Sequence, residues 1–199
     1  MMHHLASSFL AANTFTWVQG PLLPVSLECA VGISETRFLL IGGLDRKDVR
    51  EFDTRLGATN AEGWIPANTW PELGSGRGSS PACTLLGNRV MVAGSGKVDI
   101  IDIETRVAVR GKDMLEARIH FRLAVVGEEG YRRLLALGGD NGASALSSGE
   151  WLDEELGVWE EAVGRLRERR SHAGAATVTP EMVCTAQCTE ENCPLQGKW

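Results

Sequence analysis

The chain has 199 residues, enough for one domain with a real core. Its 20 Lys+Arg against 26 Asp+Glu leave a net charge of −6, which argues against a general nucleic-acid footprint. No apolar run approaches the roughly 18 residues of a membrane-spanning helix.

Residues 1–13 read as a leader without fixed structure. Leu5–Ala12 is short and mildly apolar, and only His3 and His4 precede it, so the Lys/Arg of a secretory signal are missing. Thr14–Val18 has the composition of a strand. Leu27–Ile33 and Phe38–Ile41 then form an apolar pair around the turn Ser34–Arg37, and the second run ends in Gly42-Gly43. A polar loop, the strand Val49–Asp53 and a fourth segment at Gly63-Trp64 complete the unit.

The pattern returns twice. Ser80–Leu86 and Val90–Ala93 flank the turn Gly87–Arg89 and end in Gly94-Ser95-Gly96; Val98–Asp102 and Val107–Val109 follow. Ile119–Val126 and Leu134–Leu137 flank Gly127–Gly130 and end in Gly138-Gly139; Gly149–Asp153 and Val158–Glu160 follow. The glycine marks at 42, 94 and 138 are 52 and 44 residues apart, and such self-similarity signals a repeat architecture. Arg170–Val178, with Pro180 and Met182–Cys184 after it, opens a fourth hairpin. Asp153–Arg170 is the one helix-like rival; it reads as the strand around Trp159 followed by a loop. Four short strands per unit in meander order form a propeller blade. The expected fold is all-β: a partial propeller of four-stranded antiparallel blades at about 25–73, 79–110 and 117–163, with a partial blade from 169, residues 14–184 in all, and a cysteine-containing tail at 185–199.

These marks resemble the kelch repeat. Arg118-Ile-His120, Leu137-Gly138-Gly139, Glu150-Trp151-Leu152-Asp153 and Trp159 give its order in the third unit. Ile41-Gly42-Gly43, Glu51-Phe52-Asp53 and Trp64 give it in the first. The second is degenerate, with Gly94-Ser95 for the glycine pair and Arg110 or a near neighbour in the Trp position. The resemblance implies that Thr14–Val18 is the last strand of a preceding blade. It also implies closure by about five to seven blades, the remainder coming from a longer chain or another subunit. In function it implies a protein-binding scaffold or the recognition part of an adaptor. The copper-dependent relatives use two Tyr and two His as ligands, and the single Tyr131 excludes that site.

Five cysteines are present. Cys29 and Cys83 occupy equivalent places in two repeats and are expected as buried free thiols, not a pair. Cys184, Cys188 and Cys193 form C-x3-C-x4-C, open to zinc, a disulfide or unpaired thiols. No metal or cofactor is assigned. His120 and His172 fall at the start of a blade. No nucleophile elbow, zinc-protease helix or phosphate-cradling loop occurs, so binding is expected, not catalysis.

The loops after each second strand and those between blades should share one face. They carry Arg46, Lys47, Arg77, Lys97, Arg118, Asp140, Asn141, Arg169 and Arg170, the candidate partner-binding residues. Arg77 stands between Gly76 and Gly78 with no evident packing duty. An excess of cations there would suit an acidic peptide or domain, and open propeller ends would favour self-association. The expected location is cytoplasmic; the alternative is a secreted or cell-surface propeller with an oxidised tail.

Overall fold

The computed structural model describes residues 4–11, 14–22, 27–42, 46–56, 63–74, 80–127, 132–153 and 157–175. The protein is all-β, and no α-helix occurs among the described residues. Strand β1 (His4–Ala11) pairs antiparallel with β2 (Thr14–Leu22) in a separate two-stranded sheet. The expected unstructured leader therefore forms a strand over residues 4–11. Thr14–Val18 pairs with that strand and joins no blade, because the two segments are close enough in sequence to close a local hairpin.

Three blades follow, each an antiparallel meander. The first holds β3 (Leu27–Gly32), β4 (Arg37–Gly42) and β5 (Val49–Asp53). Its fourth segment is reduced to an isolated bridge between Phe52 and Trp64. The second holds β6 (Ala82–Leu86), β7 (Arg89–Gly94), β8 (Lys97–Asp102) and β9 (Ala108–Arg110). The third holds β10 (Arg122–Val126), β11 (Arg133–Leu137), β12 (Gly149–Asp153) and β13 (Val158–Glu161). The blades do not close into a ring. Residues 170–175 carry no strand, and the rest of the expected fourth hairpin, with the cysteine tail, lies outside the described residues.

The inner strands β3, β6 and β10 run beside one another, and the blades stack face to face. Between blades one and two, Val31, Leu39, Ile41 and Val49 pack on Val90, Val92 and Ile101. Between blades two and three, Leu86, Met91, Ala93 and Val98 meet Leu134, Ala136, Leu152 and Trp159. This stacking explains the sequence pattern. β7 is covered on both faces, so Val90–Gly94 is buried without alternation. β11 is covered fully on one face only, and its burial alternates.

Register locates the Trp position. Trp64 lies opposite Phe52 and Trp159 opposite Leu152. In the second blade Ala108 lies opposite Ile101. Ala108, two residues before Arg110, thus fills the Trp place.

A disulfide joins Cys29 of β3 to Cys83 of β6, with Cα atoms 6.1 Å apart. The expectation of two free thiols is corrected. Equivalent positions do belong to different sheets, but neighbouring inner strands bring them within bridging distance.

In the third blade the pair Gly138-Gly139 fastens the neighbouring linkers. Gly139 sits at φ 96°; a Cβ there would meet the Ile119 carbonyl oxygen and Phe121 Cβ, each at 2.7 Å. Its N–H donates to the Arg170 carbonyl at 2.8 Å. Gly139→Ala is expected to destabilise the protein by at least about 1–3 kcal/mol through backbone strain alone, read as a fall in the urea midpoint. Gly87→Ala, in an exposed turn with nothing within 4 Å of the added methyl, should cost less.

Candidate functional site: the loop face

The loops after the second strands and the linkers between blades do share one end of the molecule. Backbone hydrogen bonds fasten each linker to the loop of its own blade: Leu73 N–H to Lys47 C=O at 3.0 Å, Met114 N–H to Gly96 C=O at 2.9 Å, and Leu166 N–H to Ser147 C=O at 2.9 Å. The linker beyond then docks on the loop again. Ser95 N–H donates to Arg118 C=O at 3.0 Å, and Gly139 N–H repeats this with Arg170. The side chains of Leu73 and Met114 are buried beneath these bonds. Among the described residues the end is therefore a framework of paired backbone.

Arg46 and Lys47 precede β5 and are exposed; Arg46 lies 3.8 Å from Asp48. Lys97 begins β8 and is also exposed. Arg169 is exposed and donates to Ser144 Oγ at 3.2 Å. Arg170 is exposed and pairs with Glu168 at 2.8 Å. Asn141 donates from Nδ2 to Glu116 Oε1 at 3.1 Å. Asp140 accepts from Gly142 N–H at 2.6 Å, and its backbone bridges Ile119. Arg77 lies outside the described residues. Carboxylates share the end with the cations, so it is a mixed surface.

Arg118 is different. It is 1% exposed, and its guanidinium faces inward. Nη2 donates to Glu150 Oε1 at 2.7 Å, and Nη1 to the carbonyls of Gly138 at 2.8 Å and Ser148 at 3.2 Å. Glu150 also accepts the Leu115 and Glu116 N–H groups, at 2.7 and 3.1 Å. Arg118 thus holds the second linker onto the third blade and is closed to a partner.

Glu150 is part of a scheme the sequence reading passed over. Asp99 holds the equivalent place opposite Val92, as Glu150 does opposite Ala136. Asp99 is 1% exposed and accepts the Gly74 N–H at 3.2 Å. In the first blade the place opposite Leu40 goes to Arg50, and the buried acid is its neighbour Glu51, which accepts from Trp70 Nε1 at 2.8 Å and Arg37 Nε at 2.5 Å. Acids within apolar strands were the available signal, since a buried carboxylate needs donors.

At the opposite end, the Asp closing the third strand caps the next turn. Asp102 accepts from Thr105 N–H and Oγ, both at 2.8 Å. Asp53 accepts from Arg55 N–H at 2.9 Å and from its guanidinium at 2.6 Å. The Arg55 side-chain hydrogen bond, against the opposing effect of burial, lowers the Asp53 carboxyl from 3.8 to about 2. The folded state therefore binds this proton less readily than the unfolded chain. Its stabilisation is present above about pH 4 and is lost as pH falls toward 2. Arg55→Ala should flatten this limb of an acid-unfolding curve, with less contrast at high salt.

Glu, Asp and His residues group nowhere among the described residues in a way that could hold a metal ion. No described helix is long and apolar enough to cross a membrane. No family model matches the chain, and no curated protein matches it in sequence.

Proposed function

We propose that this chain is a protein-interaction module, a kelch-like partial propeller that presents its loop end to an acidic peptide or domain, as the recognition part of a larger adaptor or scaffold. The observation that supports this reading is the fastening of linkers to loops in all three blades. It holds exposed Arg46, Lys47, Lys97 and Arg169 on ordered backbone, so little loop entropy is lost on binding. The module acts by binding and not by catalysis. The test is capture of a partner by the chain and by a variant with Arg46, Arg77 and Lys97 replaced by Glu. The expected result is loss of capture with unfolding within about half a kcal/mol per site of the parent, and association that slows as salt rises. Equal capture by the variant sinks the reading.

The Cys29–Cys83 bridge favours a second reading, a secreted or cell-surface propeller, because such bridges persist in oxidising compartments. Thiol titration in denaturant without reductant should then find at most three of the five cysteines reactive. Five reactive thiols in protein from its native compartment would return the location to the cytoplasm.

A further inference from the structure

Of the six asparagines in the chain, only Asn141 is followed by glycine. Without a Cβ on the next residue, the following backbone nitrogen has an open approach to the side-chain amide carbon. Here the fold also surrounds the pair with the groups that such an attack needs. The Gly142 N–H donates to Asp140 Oδ1 at 2.6 Å, the reach of a general base. Asn141 Oδ1 accepts the N–H groups of Ala143 at 3.1 Å and Ser144 at 3.0 Å. These two donors stand where negative charge would gather on that oxygen. Asn141 Nδ2 donates to Glu116 Oε1 at 3.1 Å, which fixes the orientation of the amide. Backbone bonds clamp the base of the loop: Leu146 N–H donates to Gly139 C=O at 2.8 Å, and Asp140 pairs with Ile119. Asn141, Gly142 and Ala143 are exposed, so water reaches the tip.

We propose that Asn141 is a self-modifying site, at which the fold promotes attack of the chain's own backbone on the side-chain amide and converts Asn141 to aspartate and isoaspartate. The Gly142 nitrogen gives its proton to Asp140 and bonds to Asn141 Cγ, while the Ala143 and Ser144 amides hold the charge on Oδ1. The Cγ–Nδ2 bond then breaks. Nδ2 leaves as ammonia with the proton from Asp140, and a five-membered imide remains. Water opens the imide at one carbonyl to give aspartate, or at the other to give isoaspartate, in which the chain runs through the side chain. The net change is one water taken up and one ammonia released, with no oxidation or reduction. The product sets a carboxylate opposite Glu116 where the amide had donated a hydrogen bond. Glu116 Oε2 is already shared by Arg118 and Ser148. Arg169 and Arg170 of the third linker are engaged with Ser144 and Glu168. The chemistry is independent of what the loop end binds.

The test is incubation of the full chain near neutral pH, with peptide mapping by mass and by chromatography to count aspartate and isoaspartate at residue 141. The folded protein should convert faster than the same chain unfolded in urea, by on the order of a hundredfold for a positioned general base. Asp140→Asn keeps an acceptor for the Gly142 N–H but takes no proton, and it should slow the folded rate toward the unfolded one. The proposal is overturned if the folded chain converts no faster than the unfolded chain, since the hydrogen bonds would then protect the amide. It is equally overturned if Asp140→Asn leaves the folded rate unchanged.

Discussion

Removing the Cys29–Cys83 bridge should lower the unfolding free energy by about 4 kcal/mol. The two cysteines are 54 residues apart in sequence, and closing a loop of that length withholds conformational freedom mainly from the unfolded chain. The native side adds little, because the apolar layer between blades one and two also joins the two sheets, and both cysteines are half-buried against it. The expected result is a lower urea midpoint for Cys29→Ala/Cys83→Ala, matched by reductant acting on the parent. Reductant should leave the double variant unmoved. A parent whose midpoint ignores reductant would show that the first two blades are held by packing alone.

Glu150→Ala should be comparably damaging, at about 3–5 kcal/mol. The loss is not one ion pair. Without the carboxylate, the Arg118 charge stays buried with its strongest acceptor gone, and the Leu115 and Glu116 amides lose theirs. Glu150→Gln should cost less, because its amide oxygen still accepts. Pairing Arg118→Met with Glu150→Leu should recover much of the loss, since neither charge then remains unpaired in the core. Chemical denaturation of the three variants beside the parent checks the order. Glu150→Ala unfolding like the parent would mean that the linker is held by its apolar contacts and not by the acid.

Much of the blade architecture could be read from the residues because short apolar runs, turn glycines and closing aspartates recur in one order. The second and third blades follow their expected strands closely. The first departs where Trp64 makes a single bridge, and tilted packing on Phe52 at 5.2 Å takes the place of a strand. The bridge between Cys29 and Cys83 was illegible for a definite reason. Repeats show which positions are equivalent, but not that equivalent positions on adjacent inner strands come within reach. The loop face was legible as a set of segments, since meander connectivity alone assigns them to one end. Its chemistry was not, because Arg118 and Arg170 look alike in sequence. Only burial distinguishes the Arg that locks a joint from the Arg that meets solvent, and burial depends on where the acid of the next strand falls.

The bridge also gives the stack a direction. Apart from it, each blade is secured to its neighbour by the same means: a shared apolar layer and a linker sewn to a loop. In such a chain of modules, disruption spreads by nearest neighbours. The covalent tie turns the first two blades into one block, so separation begins at the joint between blades two and three. That joint contains the Arg118–Glu150 pair. Among the described blades, a force or a denaturant is thus expected to part the third from the first two before those two part from each other, and the third blade serves as their fuse.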